Sequence, residues 1–228
     1  MADRYILTQS LLSAYAYMFD CYEGGEDDAK AEFEQTLLRI KSPPTEAMQN
    51  GIDFENLVYS IVTSTFRPAF VPDGTLCKAS YGDNEPMGRN VYPKWYPGAK
   101  AIADRLMGAQ LQVRASRPIV IDGTQYLIYG VLDGLKAGVI YDVKFKNKSF
   151  GKLDLAGSYR ESPQHPFYFH IVPEAYEFQY LVSDGEDLYA EIYHPDECPT
   201  AERIIRPFLS YLESEKLMDV YRQHWKAK

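Results

Sequence analysis

Apolar residues recur along this chain at two spacings, and the points where one gives way to the other divide it into elements. Behind Thr8, a good N-cap, Leu11, Leu12, Tyr15, Met18 and Phe19 repeat at helical spacing. A second, acidic helix is predicted from about residue 26 to 40, ahead of Ser42-Pro43-Pro44. A third starts at Pro44 or Thr45 and runs to about residue 65, with Phe54, Leu57, Val58 and Ile61 as its stripe. Residues 98–107 also read as helix, after which the period falls to two. Short strands are predicted over 111–115 and 118–121, a hairpin over 126–146, and a second hairpin over 175–182 and 188–194 around Asp184-Gly185. A long helix from about 200 to 225 closes the chain, with Pro207 expected to kink it or delay its start. The 228 residues suit one α/β domain with a helical N-terminal part (about 1–66) and an irregular insertion (about 67–98) broken by prolines.

The hairpin over 126–146, YLIYGVLDGLKAGVIYDVKFK, carries the chemistry. With Ala137-Gly138 as its loop, Lys136 faces Val139 and, in the same register, Asp133 faces Asp142. Opposed carboxylates repel across neighbouring strands, so the pairing makes sense around a bound cation. Alternation along the second strand puts Val139, Tyr141, Val143 and Phe145 on one face and Asp142, Lys144 and Lys146 on the other.

Gly130-Val131-Leu132-Asp133 followed by Tyr141-Asp142-Val143-Lys144 resembles the core of the PD-(D/E)XK nucleases, with Leu132 where the family name has Pro. The RecB-like and phage-exonuclease branch is the most similar. Gly51-Ile52-Asp53-Phe54-Glu55 resembles that branch's helix-borne acidic motif, and Gln164-His165-Pro166-Phe167-Tyr168 its Gln-x-x-x-Tyr motif. The resemblance implies a restriction-endonuclease-like α/β core, a mixed and largely antiparallel sheet flanked by helices. It implies Asp133, Asp142 and Glu55 as ligands of Mg²⁺ or Mn²⁺, with Asp53 as the alternative to Glu55. Lys144, Asp142, Asp133, Gln164 and Tyr168 would then be catalytic. DNA is the implied substrate and exonucleolytic hydrolysis the implied mode. A homo-oligomer and a single-strand-annealing or helicase partner are assemblies known in this branch. A catalytically silent member of the same fold, serving as a DNA-binding or protein-interaction module, is the alternative.

Composition adjusts this picture. The net charge of −8 argues against a general nucleic-acid footprint, but the acids lie toward the two ends, while Lys144, Lys146, Lys148 and Lys152 follow the candidate ligands. Lys146, Lys148 and Arg160 are candidate phosphate contacts. Arg89 and Trp95, in a stretch mixing cations with aromatics, are candidates for gripping a single strand, the alternative being aromatics that pin a loop onto the core. His165 lies beside Gln164 and is a candidate for proton handling. Iron–sulfur relatives use four thiolates; the three cysteines here, Cys21, Cys77 and Cys198, exclude such a cluster and offer no disulfide framework. No run of about 20 apolar residues suits a membrane span, and the first ten residues lack a signal-peptide pattern. A cytoplasmic location is expected.

Overall fold

The computed structural model describes residues 4–70, 76–81, 85–86, 92–152 and 155–227. Its elements in order are β1 (Tyr5–Thr8), α1 (Gln9–Asp20), α2 (Glu26–Leu37), α3 (Glu46–Val62), β2 (Phe66–Phe70), β3 (Leu76–Tyr81), β4 (Glu85–Pro86) and α4 (Tyr92–Leu106). Then follow β5 (Gln110–Ile121), β6 (Thr124–Lys136), β7 (Val139–Phe145), α5 (Gln164–Ile171), β8 (Glu177–Ser183), β9 (Leu188–Tyr193), α6 (Ala201–Ser214) and α7 (Met218–His224).

The fold is α/β, with a mixed, largely antiparallel six-stranded sheet flanked by helices. Its order is β1-β6-β7-β8-β9, with β5 on the other edge of β6. The β1–β6 and β7–β8 pairs are parallel and the others antiparallel. β2, β3 and β4 form a separate antiparallel sheet.

Two apolar layers sandwich the large sheet. On one side Leu11, Phe33, Phe167 and Phe208 pack with Ile128, Leu132, Ile140, Phe178 and Tyr180. On the other, Phe54, Leu57, Val58, Ile102 and Leu106 of α3 and α4 pack on Val139, Tyr141, Val143 and Leu181. Strand β7 is therefore buried on both faces, as a strand flanked by helices should be. The predicted face of Val139, Tyr141, Val143 and Phe145 is the one that meets α3 and α4.

Several boundaries differ from expectation. The first four strand residues, Tyr5–Thr8, pair in parallel with Tyr126–Tyr129; so short a run carries no readable period. Thr8 still caps α1, accepting from the Leu11 N–H. The two strands expected over 111–121 are one, continuing through Pro118, because among the described strands β5 pairs with β6 alone and the missing N–H falls where no partner needs it. Helix α4 begins at Tyr92 rather than near residue 98. α5 begins at Gln164, with Ser162 Oγ accepting the Gln164 N–H and Pro163 in the cap position rather than the first turn.

The closing helix is two helices, and Pro207, inside α6, is not where it breaks. The break is at Lys216, whose φ is +58°. There the Leu217 N–H bonds to the Leu212 carbonyl and the Lys216 N–H to that of Glu213, the Schellman arrangement. α2 and α3 stop the same way at Arg39 and Ser64, each with φ +58°. A left-handed residue with a side chain costs energy that glycine does not. Lys216 is exposed and its side chain makes no ion pair among the described residues, so Lys216→Gly should raise stability by about 0.5–1 kcal/mol in urea denaturation.

Candidate active site

The site is built where the sheet forks. Along one edge of β6, β1 pairs with residues 126–129 and β7 with residues 134–136. The register of the hairpin is as predicted, with Lys136 opposite Val139, but the ladder ends at Gly134 and Tyr141. Asp133 and Asp142 are thus not a ladder pair, which corrects the sequence-based expectation. The reason is visible at the next amide: Asp133 Oδ2 accepts the Val143 N–H at 2.8 Å, so a side chain takes the place of a ladder bond. The Val131 carbonyl, in the same gap, accepts from the Tyr168 hydroxyl at 2.9 Å. Gly130 makes room for this, since a Cβ there would overlap the Tyr168 ring.

The alternation of faces also breaks at this point. Val113 and opposed Leu132 face the α5 side of the sheet, whereas Leu111 and opposed Gly134 face the α4 side. Residues two apart on a strand ordinarily share a face. The crossing pair between them is Gln112 and Asp133, and Gln112 adopts a left-handed φ of +52°. The register sum is unchanged on either side, so neither strand gains a residue. Asp133 points along the sheet toward β7 instead of away from either face.

From that position Asp133 is influenced by acids on both sides. Asp142 is 2% exposed, on the α5 side. Its Oδ1 receives the Gln164 amide and its Oδ2 lies 2.6 Å from the Lys144 ammonium. Glu55, on α3, accepts from the Tyr59 hydroxyl (2.6 Å) and from Gln112 Nε2 (3.0 Å). The same Gln112 nitrogen reaches Asp133 Oδ1 at 3.4 Å. Asp53, the alternative ligand, is instead held by Gln49 one turn earlier on its own helix. Of the two acids it is Glu55 that is linked to Asp133.

The charges respond to this crowding. Burial, with Asp142 and then Glu55 nearby, holds the Asp133 carboxyl well above the usual carboxylate range. Burial works to lower the Lys144 pKa, but Asp142, Asp133 and Glu55 together carry it above its ordinary value. Lys146 is shifted the other way, by burial and by Lys144.

The five residues Asp133, Asp142, Lys144, Gln164 and Tyr168 therefore meet, and Glu55 joins them through Gln112. Among the described residues no three His, Cys, Asp or Glu side chains are gathered closely enough to cage a metal by themselves. The donor chemistry nonetheless fits a hard divalent ion that keeps several waters: carboxylate oxygens of three acids, with one ammonium among the described residues, that of Lys144, on Asp142.

The remaining candidates fall differently. Lys146 lies half-buried with its ammonium 5.3 Å from the centre of the Tyr159 ring. Lys148 is exposed in the turn after β7. Arg160 is exposed on an open cavity of about 750 Å³ that it shares with His165, Glu191 and Arg203. Trp95 is a correction: it is 7% exposed and packs against Phe54 and Phe145, so its ring cannot take a base. Helical spacing from Trp95 to Ala99 and Ile102 puts it on the apolar face of α4. Arg89 lies outside the described residues. His165 does not serve the site: its Nδ1 meets the Tyr180 hydroxyl at 3.0 Å, its ring stacks on Tyr193, and burial pushes its pKa down to about 4.

Sequence reasoning missed Gln112 and Tyr59. Tyr59 was findable, four residues after Glu55 on one helix face. Gln112 was not, because Gln110-Leu111-Gln112-Val113 reads as an ordinary strand.

No protein-family model matches this chain, and no curated protein matches it. Among solved structures it is similar to the crystal structure of SSO0001, with a TM-score of 0.49 and 10% identity over 93% of this chain and 78% of that one. It is also similar to that of LHK-Exo in complex with dAMP, with a TM-score of 0.48 and 14% identity over 92% and 88% of the two chains. Among the described residues no helix is long and apolar enough to cross a membrane.

The raised Asp133 pKa has a consequence for stability. An acid whose pKa is higher in the folded state binds more protons there, so its contribution is present at low pH and is lost as pH rises through the folded value. Asp133→Asn keeps the acceptor for Val143 and removes the charge. With chelator present, the variant should be more stable than wild type near neutral pH, by on the order of 1 kcal/mol. The difference should vanish toward acid pH in a denaturant series.

Proposed function

We propose that this protein is a Mg²⁺- or Mn²⁺-dependent nuclease that hydrolyses DNA phosphodiester bonds, an exonuclease of the RecB-like or phage-recombination type. The observation that carries this reading is the Asp133 carboxylate, held in the sheet fork between Glu55 on one side and the Asp142–Lys144 pair on the other. A fold gains nothing in stability from gathering acids in this way unless a cation joins them. Asp133, Asp142 and Glu55 would hold the ion, which when bound supplies charge neutralisation at a phosphoryl group and a water of lowered pKa.

The chain's own groups have distinct tasks. Lys144, positively charged beside Asp142, orients the attacking oxygen and offsets the charge that grows on the phosphate. Gln164 fixes the Asp142 carboxylate through its amide, which sets which oxygen is left to turn toward Lys144. Tyr168 closes the backbone gap at Val131 and so holds the strand that carries Asp133. Lys146, Lys148 and Arg160 supply phosphate contacts. DNA as substrate and the exonucleolytic mode come from the family resemblance.

One observation favours the second reading, a catalytically silent binding module: both oxygens of Asp142 are engaged already, by Gln164 and Lys144. End-labelled linear DNA and closed circular DNA, incubated with and without Mn²⁺, separate the cases. Metal-dependent loss of the linear form alone establishes the exonuclease, nicked circles an endonuclease, and no cleavage of either the silent module. For the active enzyme, Asp142→Asn should abolish cleavage. Lys144→Met should slow it roughly 10²–10³-fold, the effect of removing one preorganised charge-stabilising group.

A further inference from the structure

Gln112 is out of place in three respects. It is a side-chain-bearing residue at a left-handed φ of +52° in the middle of a strand, a conformation that costs energy and clusters at functional sites. It stands at the point where β5 and β6 exchange faces, opposite Asp133. Although exposed, its amide nitrogen converges on three acceptors: Tyr59 Oη at 2.6 Å, Glu55 Oε1 at 3.0 Å and Asp133 Oδ1 at 3.4 Å. With acceptors on every side, the group aimed at them is the NH₂ and not the amide oxygen. A donor with partial positive charge thus lies between two acids that come from different elements.

We infer that Gln112 is a built-in placeholder for the cation: its amide bridges Glu55 and Asp133 in the free protein and must swing out when a divalent ion binds. The inference rests on the metal-dependent reading of the site, and goes beyond it by naming the residue that sets the affinity. A neutral amide satisfies the two carboxylates only partly, since it offers two N–H bonds and no full charge. The ion outcompetes it, yet each binding event first breaks the amide's contacts. The exposure of Gln112 gives the displaced side chain an open path to solvent. The left-handed backbone aims the side chain back over the sheet fork, which regular strand geometry would not do.

Removing the amide lowers the stability of the free protein without touching the ion-bound form, so cation affinity must rise. Gln112→Ala keeps the left-handed backbone cost while deleting the plug. It should bind Mn²⁺ roughly three- to tenfold more tightly than wild type, the factor of one modest net hydrogen bond. Binding is read by isothermal titration calorimetry and by electron paramagnetic resonance of free Mn²⁺, with no DNA present. Gln112→Glu, which adds a charge at the same place, should bind tighter still and should melt lower than wild type in chelator. If wild type binds Mn²⁺ and Gln112→Ala binds it equally or more weakly, the placeholder role is wrong and the metal site stands. If folded wild type and both variants all fail to bind Mn²⁺, the metal-dependent reading falls and this inference with it.

Discussion

The constraint on which this structure turns is electrostatic: like charges from different elements have been brought together at a place where the sheet cannot close. Carboxylates confined together favour protonation or a counter-charge. Here the acids are answered by one ammonium and by two neutral amide donors, one from α5 and one from β5. Every nearby irregularity serves that arrangement. The ladder between β6 and β7 stops at Gly134 and Tyr141, and Asp133 beyond it reaches a backbone amide. The β5–β6 pair gives up its alternation at one position, so that an acid is directed into the fork and not onto a face. Tyr168 and Gly130 then fill the gap that the fork leaves.

The sheet gives this site its reach. Because β7 is packed from both sides, Asp142 belongs to the α5 layer while Glu55 belongs to the α3 layer. Acids on opposite faces of an unbroken sheet would be kept apart by its backbone. A fork is the one place where an in-plane side chain can mediate between them, and Asp133 occupies it. Within the stretch 67–98, the described start of α4 contributes a buried tryptophan to the core.

Much of this was legible from the chain, for identifiable reasons. The hairpin over 126–146 declared its register because a two-residue Ala-Gly loop fixes which residues oppose each other. Periodicity put Asp142 and Lys144 on one strand face and Gln164 and Tyr168 on one helix face, and the family resemblance singled them out. What escaped were departures from periodicity. Helices α2, α3 and α6 end on left-handed Arg39, Ser64 and Lys216, where a glycine would have announced the stop. The positive φ of Gln112 likewise leaves no mark in composition, since the tertiary setting imposes it and the residue type does not. Trp95 could be read either way, because aromatic and basic neighbours look alike whether they await a ligand or pin a helix.

The proline in β5 has a bearing on how copies of this chain can associate. β5 borders the sheet, bonded among the described strands to β6 alone, and an open border invites another strand to dock alongside. Pro118 offers no amide hydrogen there, exposed Arg114 and Arg117 line the same strand, and His170 of α5 is tied to the Pro118 carbonyl. Growth of the sheet across this boundary is thereby discouraged. Copies of this chain that associate would then meet elsewhere than along β5.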